Sequence, residues 1–186
     1  MWQESSRLKK LHLGCGKVII PGYINIDILP LPGVDIQADL RKLPFDDGYA
    51  DLIYSCANIE HFGRKEWVEV LREWRRVLKP GGILKISTMD FDACCQEYIE
   101  NKNLQHLLGL LIGGQKDRYD WHGMIFDFPM LKAGLEVAGF EKISRYDWRN
   151  SDVGILAIDD FSQAYLPHME KSRGRLMMLN VQATRH

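Results

Sequence analysis

Two glycines and two acids near the start of the chain have the spacing to recognise a ligand. The stretch LHLGCGKVIIPGYINIDI, residues 11–28, places Gly14 and Gly16 after one apolar run and Asp27 in a second. Glycines let a ligand approach the backbone closely, and a carboxylate can accept hydrogen bonds from both hydroxyls of a ribose. Asp39, after a third apolar run, could meet the amino group of an adenine. This order predicts a site for a ligand that contains a nucleoside.

The glycine turn does not fit the two common phosphate-binding motifs. A dinucleotide site needs a third glycine, where this chain has Ile19, and an acid about 20 residues further on. Asp27 follows Gly16 by eleven residues, and the connection between them contains Pro21 and is too short for a normal helix. A Walker loop fails as well, because neither GKS nor GKT follows the glycines. We therefore expect a ribose and an adenine at this turn without a phosphate.

The elements that position these residues alternate between strands and helices. Strands are predicted over residues 8–13, 23–28, 34–38, 51–57 and 83–88, with two late strands over 141–148 and 175–183. Helices are predicted over residues 64–78, 91–112 and 129–138. The alternation predicts an open, mostly parallel α/β sheet with helices on both faces, in a single domain over residues 1–186.

The helix after the fourth strand has the clearest helical pattern. Trp67, Leu71, Trp74 and Leu78 form one apolar stripe, which we expect to face the sheet. The polar residues expected to lie in solvent are Arg72, Glu73 and Arg76. The KPGG sequence that follows, residues 79–82, should end the helix.

Read in order, these motifs resemble the class I S-adenosylmethionine-dependent methyltransferases. The matching stretches are LHLGCG, INIDI, ADLRKLPFDDGYADLIYSCANIEHF and VLREWRRVLKPGGILKIS, which cover roughly residues 8–90. The short first connection is similar to a subgroup found near bacterial glycan and cell-surface genes. The resemblance implies a Rossmann-like sheet with an antiparallel final strand and S-adenosylmethionine as the cofactor.

The resemblance also implies which residues contact the cofactor. They are Leu13, Gly14, Cys15, Gly16, Asp27, Ile28, Asp39, Leu40, Ser55, Cys56 and His61. Cys15 should act through its backbone amide, and a packing role is the alternative for Ser55 and Cys56. His61 could touch the cofactor, cap the following helix or act as a base.

The acceptor site should come from the segments after the fifth strand. A hydroxyl acceptor must lose its proton during attack, so the acceptor site should contain a base. Asp90, at the end of that strand, is the first candidate, with a helix N-cap as the alternative role. His122 is the rival base, and Tyr119 and Trp121 beside it could form a lid. The alternative for this loop is a helix connection that packs its aromatic side chains into the core.

A late insertion over residues 149–174 separates two strands that a hairpin could have joined. It carries several polar side chains, namely Arg149, Asp159, Asp160, Tyr165 and His168. We expect a homodimer contact or a specificity loop, with a structural wrap as the alternative. The spacing of these residues shows no recognised metal-ligand set.

Composition limits the class of protein. The net charge is -1 for 186 residues, which gives no case for nucleic-acid binding. No apolar run approaches the roughly 20 residues of a membrane span, and the N-terminus has no signal-peptide core. The four cysteines, Cys15, Cys56, Cys94 and Cys95, suit small buried side chains in a reducing compartment. We expect a cytoplasmic protein.

The sequence therefore predicts an S-adenosylmethionine-dependent methyltransferase that methylates an oxygen of a sugar or another small polar acceptor. A nitrogen methyltransferase acting on an amine or aminosugar is the alternative enzyme. A non-catalytic cofactor-binding scaffold is the alternative of another class. A NAD-linked reductase lacks both the third glycine and a Tyr-xxx-Lys pair.

Overall fold

The largest element of the protein is a seven-stranded sheet, seen in a computed structural model that describes residues 8–151 and 157–186. Its strands are β1 (Lys10–Leu13), β2 (Ile24–Asp27), β3 (Ile36–Gln37), β4 (Ala50–Cys56), β5 (Leu78–Met89), β6 (Phe140–Arg145) and β9 (Met178–Arg185). A separate two-stranded ribbon pairs β7 (Tyr165–Leu166) with β8 (Arg175–Leu176). The α-helices are α1 (Trp67–Val77), α2 (Phe91–Asn101), α3 (Leu108–Ile112) and α4 (Phe128–Val137). None of the described helices is both long and apolar enough to cross a membrane.

The strand order of the large sheet is β3-β2-β1-β4-β5-β9-β6. The strands from β3 to β5 pair in parallel, and β9 runs antiparallel to both of its neighbours, β5 and β6. This is the predicted Rossmann-like sheet, including its antiparallel final strand. The chain winds away from β1 in both directions, which brings the carboxyl ends of β1, β2 and β4 together at one edge, where open α/β sheets bind ligands.

One predicted helix boundary is confirmed and another is wrong. Helix α1 ends at Val77, within one residue of the end predicted from the KPGG sequence, and β5 begins at Leu78, which pairs with Ala50 of β4. The long helix predicted over residues 91–112 breaks after α2, where Lys102 adopts a left-handed conformation with φ 50°. A short 3-10 turn over Leu104–Leu107 then leads into α3.

One face of the sheet is apolar and is covered by α1 and α4. Leu11, Ile53 and Leu84 from neighbouring strands pack there against α1. The predicted α1 stripe is buried as expected, with Leu71 and Trp74 fully inaccessible. Close packing of such side chains is the main favourable contribution to the stability of a domain.

The polar side of α1 is less exposed than predicted. Arg72 is largely in solvent, but Glu73 and Arg76 are partly buried and bonded to each other at 2.8 Å. Glu73 also accepts the backbone N–H of Leu43 at 2.8 Å, and Arg76 donates to the Phe45 carbonyl at 2.8 Å. These two residues fasten the turn after β3 to the helix, which is why they leave the solvent.

The opposite face of the sheet is polar. Tyr54 of β4 donates to the Asp160 carboxylate at 2.5 Å, and the Ser87 hydroxyl donates to Asn180 on the neighbouring strand. Asn180 in turn donates to the Ser162 carbonyl at 3.0 Å. The cover of this face includes the connection 17–23 and a 3-10 helix over Phe161–Gln163. The described part of the insertion thus wraps the sheet, while residues 152–156 lie outside the described ranges and the predicted dimer contact stays a prediction.

Asn25 holds the short connection between β1 and β2 where a helix would normally lie. Its side-chain oxygen accepts the Ile20 N–H at 2.9 Å and faces the His12 ring nitrogen at 3.1 Å. Its side-chain nitrogen donates to the carbonyls of Ile20 and Tyr23, each at 3.3 Å, and to the Asp35 carboxylate at 3.2 Å. Three backbone groups of the connection, the Ile20 N–H and the carbonyls of Ile20 and Tyr23, are thus satisfied by one buried amide.

Three of the four cysteines are buried as predicted. Cys15, Cys56 and Cys94 are inaccessible, while Cys95 on the outer side of α2 is exposed. Burial is the main cause that raises the pKa of Cys15 to about 11 and of Cys94 to about 12. Both thiols therefore stay protonated at neutral pH and are poor nucleophiles.

Candidate functional site

A cavity of about 540 Å³ opens where the carboxyl ends of β1, β2 and β4 meet. Seven of the predicted cofactor residues line it: Gly14, Gly16, Asp27, Ile28, Asp39, Leu40 and His61. His61 comes from the 3-10 helix Ile59–His61 after β4, and His122, from the loop between α3 and α4, lines the cavity as well. The structure thus brings most of the predicted site together at one edge of the sheet.

Asp27 fastens the glycine turn. Its Oδ2 accepts the Gly16 N–H at 2.8 Å, and its Oδ1 accepts the Leu29 N–H at 2.9 Å. A carboxylate has about four lone-pair sites, so each oxygen can accept one further hydrogen bond on the cavity side. Gly16 has φ +52°, and a Cβ added there would meet no heavy atom within 4 Å, so its backbone is open to a ligand. The acid, rather than a helix, holds the turn in place.

Asn58 is a part of the site that the sequence analysis missed. Its side-chain nitrogen donates to the carbonyls of Gly14 at 2.8 Å and Leu13 at 3.3 Å. A Cβ on Gly14 would lie 1.6 Å from that nitrogen, so only glycine fits beside Asn58. The preceding Ala57 has φ 51°, an uncommon conformation for a residue with a side chain. The signal in the sequence that could have identified Asn58 is its polar side chain two residues after β4.

Four predicted cofactor residues do not line the cavity. Leu13 and Ser55 are fully buried on the apolar side of the sheet, because strand side chains alternate between the faces. Cys56 points to the polar side, where burial raises its pKa well above the usual value. The Cys15 amide, expected to bind the ligand, already donates to the Ile26 carbonyl at 3.0 Å. Their contribution is to shape the strand ends.

Asp39 lies on the cavity wall in the turn after β3. Its carboxylate accepts the Arg41 N–H at 2.9 Å, and the Arg41 guanidinium lies 3.4 Å from the same oxygen. Arg41 also pairs with Glu66 at 3.3 Å and lies over the Phe62 ring. The side chain of Asp39 is therefore held at the wall by its own turn and by a neighbouring cation.

His61 and His122 form a pair of rings on the cavity wall. Their centroids are 4.9 Å apart and the rings meet edge to face. Nδ1 of His61 lies 3.0 Å from the Trp121 carbonyl, and Nδ1 of His122 lies 2.9 Å from the Leu110 carbonyl. A carbonyl can only accept, so Nδ1 carries the proton in both rings. In the neutral form, each ring then presents a lone pair at Nε2.

Burial and the neighbouring His61 both lower the pKa of His122, with burial the larger cause. Its folded pKa therefore lies below the ordinary histidine value of about 6.5. At neutral pH the His122 ring is uncharged and can accept a proton at Nε2.

Backbone bonds to Glu60 hold the loop that carries His122. The Glu60 carbonyl accepts the N–H groups of Gly123 at 2.8 Å and Met124 at 3.0 Å. The Glu60 carboxyl is itself buried, which raises its pKa, and it accepts the Thr88 hydroxyl at 2.9 Å. The residue after β4 and the distant loop are thereby locked together beside the cavity.

The carboxylate of Asp90 is bonded to groups that do not line the cavity. Its Oδ1 accepts the Asp92 N–H at 3.2 Å as the N-cap of α2, and its Oδ2 accepts Arg145 at 2.7 Å. It is not among the residues that line the cavity within the described ranges. The structure therefore favours the N-cap role over the role of a base, because Asp90 lies outside the cavity lining and its carboxylate is paired with Arg145.

The loop over residues 113–127 forms one wall of the cavity. Tyr119 and Trp121 line it beside His122, and Trp121 remains 55% exposed rather than packed in the core. Gly123, in the same loop, would place a Cβ 2.7 Å from the Phe62 carbonyl, so glycine lets the loop approach the end of the 3-10 helix Ile59–His61 closely. Phe126 of the same loop is instead fully buried in the core against Trp67, as the alternative predicted, and the lid stays a prediction for Tyr119 and Trp121.

Comparison with known proteins finds a match for the part of the chain that contains the glycine turn, Asp27 and Asp39. Residues 11–86 match the family model described as a methyltransferase domain. The matched segment runs from β1 into β5 and includes Asp27, Asp39 and His61.

Two similar proteins are named as methyltransferases that act in quinone biosynthesis or on demethylmenaquinone. The ubiquinone/menaquinone biosynthesis C-methyltransferase of Idiomarina loihiensis is 32% identical over 131 residues, covering 66% of this chain and 50% of the relative. The demethylmenaquinone methyltransferase of Staphylococcus carnosus is 33% identical over 119 residues, covering 58% of this chain and 47% of the relative. The chain spans about half the length of those relatives.

Solved structures share the fold. A methyltransferase of Thermotoga maritima superposes with a TM-score of 0.62 at 17% identity, covering 96% of this chain and 83% of the other. The 1,6-didemethyltoxoflavin-N1-methyltransferase of Burkholderia thailandensis, solved with its acceptor and S-adenosylhomocysteine, gives 0.60 at 14% identity, covering 96% and 71%. At these identities the likeness establishes the fold.

Proposed function

We propose that the protein transfers a methyl group from S-adenosylmethionine to a small-molecule acceptor. The observation that carries the proposal is the glycine turn fastened by Asp27 on the wall of a cavity, within the matched methyltransferase domain. The fold of the solved methyltransferases, which covers nearly the whole chain, supports the same activity.

The cavity residues fit this cofactor. Asp27 keeps one acceptor site on each oxygen, which suits the two hydroxyls of a ribose, and Gly16 offers open backbone beside it. Asp39 offers a carboxylate for the amino group of an adenine. When bound, S-adenosylmethionine supplies an electrophilic methyl group on a positively charged sulfur. The protein's part is to hold donor and acceptor in line, which is worth about 7 to 11 kcal/mol of such a barrier.

His122 is the base that the geometry supports best. Its Nδ1 is held by the Leu110 carbonyl, its Nε2 lone pair is available in the neutral ring, and its lowered pKa keeps it neutral at pH 7. In the proposed reaction, Nε2 would take the proton of an acceptor hydroxyl, so that the oxygen could receive the methyl group as the bond from the methyl carbon to sulfur breaks and S-adenosylhomocysteine leaves. The edge contact with His61 keeps the ring in position.

The same proton transfer serves an oxygen or a carbon nucleophile. Loss of a hydroxyl proton leaves charge on the oxygen, and in a conjugated ring that charge also reaches ring carbons. The relatives named above are C-methyltransferases in part, which supports an acceptor with an acidic hydroxyl on a conjugated system. The sugar acceptor expected from the polar loop has no support from these relatives, and it serves as a comparison in the test.

Calorimetry of S-adenosylhomocysteine binding tests the cofactor site. We expect Asp27→Ala to weaken binding by about tenfold to a hundredfold, as for hydrogen bonds to a charged group. Asp46→Ala, which removes an exposed acid away from the cavity, is the matched control and should bind normally. Unchanged affinity in Asp27→Ala, or tighter binding of NADH than of S-adenosylhomocysteine, would contradict the proposal.

Transfer of a labelled methyl group tests the base. The panel contains phenols, enols, nucleotide sugars and amines, and turnover is measured for His122→Gln, Asp90→Asn and the exposed-histidine control His106→Gln. We expect His122→Gln to lower turnover of hydroxyl acceptors by about a hundredfold or more without changing cofactor affinity. Asp90→Asn should act mainly on stability. If amines alone are methylated and His122→Gln is fully active, the base assignment fails while the methyltransferase activity stands.

A further inference from the structure

We propose that Arg118 binds an anionic group, a carboxylate or a phosphate, on the methyl acceptor. This rests on the proposed function, because it names the class of molecule that shares the cavity with the cofactor. Arg118 and Tyr119 both line the cavity, in the loop that also contributes Trp121 and His122. The cation, the aromatic wall and the base therefore come from one short stretch of chain.

The charge of Arg118 is not matched by a carboxylate within residues 8–151 and 157–186. Its guanidinium donates to the Tyr119 hydroxyl at 2.5 Å and lies over the same ring, 4.6 Å from the centroid. A guanidinium has five N–H donors in a fixed planar fork. The contact with Tyr119 uses one of them and steadies the group beside the cavity.

The acids nearest to Arg118 in the chain are occupied by backbone groups. Asp117 accepts the Tyr119 N–H at 2.7 Å. Asp120 accepts two earlier N–H groups of the same loop, those of Gly114 at 3.2 Å and Lys116 at 3.3 Å. These bonds give the loop its shape, and they direct both carboxylates to the backbone instead of to the arginine.

The other arginine on the cavity wall shows the contrast. Arg41 is paired with Asp39 at 3.4 Å and with Glu66 at 3.3 Å, so its charge is neutralised inside the protein. Because Asp39 is paired in this way, it does not compete for Arg118. Of these two wall arginines, Arg118 is the one whose charge is left for a ligand.

An arginine fork binds a carboxylate or a phosphate through two parallel hydrogen bonds, which fixes orientation as well as affinity. Tyr119 and Trp121 next to it offer faces for a planar ring. His122 in the same loop can reach a hydroxyl of that ring. The acceptor class that matches this wall is a planar, hydroxyl-bearing acid.

Matched acid and amide pairs test the inference. Isomers of hydroxybenzoate and hydroxycinnamate are compared with their primary amides, as ligands of the S-adenosylhomocysteine complex and as acceptors of labelled methyl. We expect the acids to bind the wild-type protein about tenfold or more tightly than the amides, as for a charge-assisted hydrogen bond. Arg118→Gln should abolish this preference, and Arg118→Lys should restore part of it. Lys116→Gln, the same charge change in the same loop away from the cavity wall, should leave the preference intact.

Three results would overturn the inference. The first is a wild-type profile with no preference for acids, or with no binding of any pair. The second is a preference that survives in Arg118→Gln. The third is a loss of S-adenosylhomocysteine affinity in Arg118→Gln, which would assign the arginine to the carboxylate of the cofactor. In all three cases normal cofactor binding by the wild-type protein leaves the proposed function standing, whereas its absence would remove both.

Discussion

The two sides of the cavity are built in different ways. On the cofactor side, Asp27 ends β2 and Gly16 lies in the turn after the neighbouring β1, and a hydrogen bond of 2.8 Å joins them across eleven residues. On the acceptor side, His122 belongs to a loop whose position depends on the Glu60 carbonyl, sixty-three residues before Gly123. The first side is positioned by the sheet itself, and the second by backbone bonds between segments that are far apart in sequence.

Because of this difference, the cofactor side should govern binding of the cofactor, and the acceptor side should govern which acceptor is used. Strand ends of a packed sheet cannot shift without breaking the core, which suits a cofactor whose shape is fixed. A loop docked by a few backbone bonds can change its side chains without disturbing the sheet. We therefore expect variants of the two sides to differ in what they lose, and the following predictions rank that difference by the size of the effect.

The largest effect should come from the core that both sides share. Leu71 of α1 is fully buried, and Leu71→Ala should lower the free energy of unfolding by about 2 to 5 kcal/mol. Denaturant unfolding followed by both fluorescence and circular dichroism measures it. Leu104→Ala, at an exposed site, should cost less than about 0.5 kcal/mol. Two separate unfolding transitions would show that the two sides do not share one core.

Asn25→Ala should weaken the connection between β1 and β2 on the cofactor side and leave the acceptor side unchanged. The change leaves buried backbone groups of the connection unpaired, each at a cost of about 1 to 3 kcal/mol. We expect lower stability together with weaker binding of S-adenosylhomocysteine, measured by thermal unfolding and calorimetry. Asn101→Ala, at an exposed amide of α2, is the control. Weaker stability with normal cofactor affinity would mean that the connection does not shape the site.

Gly123→Ala should act on the acceptor side alone. The new Cβ would lie 2.7 Å from the Phe62 carbonyl, and relieving such overpacking costs about 1 to 3 kcal/mol. We expect turnover to fall while S-adenosylhomocysteine affinity stays normal. Gly109→Ala in α3, where a Cβ meets nothing within 4 Å, should be neutral or stabilising. An equal loss of cofactor affinity in Gly123→Ala would contradict the separation of the two sides.

The smallest effect is a dependence of stability on pH. Burial lowers the pKa of His12, beneath the cofactor side, and of His122 on the acceptor side. Below about pH 6.5 the unfolded chain takes up protons that the folded chain refuses, so stability falls as the pH falls. The slope is at most about 1.4 kcal/mol per pH unit for each group. His12→Gln should reduce the change of the urea unfolding midpoint between pH 5 and 7. His106→Gln, at an exposed site, should leave that change as it is in the wild-type protein.

The cofactor side could be predicted from the sequence because its signals are local. Gly14, Gly16, Asp27 and Asp39 each follow a short apolar run, and the carboxyl ends of parallel strands meet at one edge. The same reasoning gave a wrong prediction for Cys15, because its backbone N–H already donates to the Ile26 carbonyl of the sheet. A strand-end position predicts proximity to a site, but it does not predict which atoms remain available there.

The acceptor side was only partly predictable, for a physical reason. His122 and Trp121 were recognisable as candidates by residue type alone. Their positions depend on carbonyls of residues 60 and 110, and on a close backbone approach at Gly123, none of which leaves a periodic pattern. Asp90 had the expected location but is engaged by Arg145, fifty-five residues later.

The place of β9 in the sheet has a consequence for how the chain folds. β9 (Met178–Arg185) is the last strand in sequence, yet it lies between β5 and β6 and pairs with both. As the polypeptide leaves the ribosome, β6 has no neighbour until residues beyond 178 have emerged. Pairings of such long sequence separation form slowly, since loop closure must precede any gain from contact. We therefore expect nascent chains that end before β9 to stay protease-sensitive and chaperone-bound, with the sheet closing only after synthesis has passed Arg185.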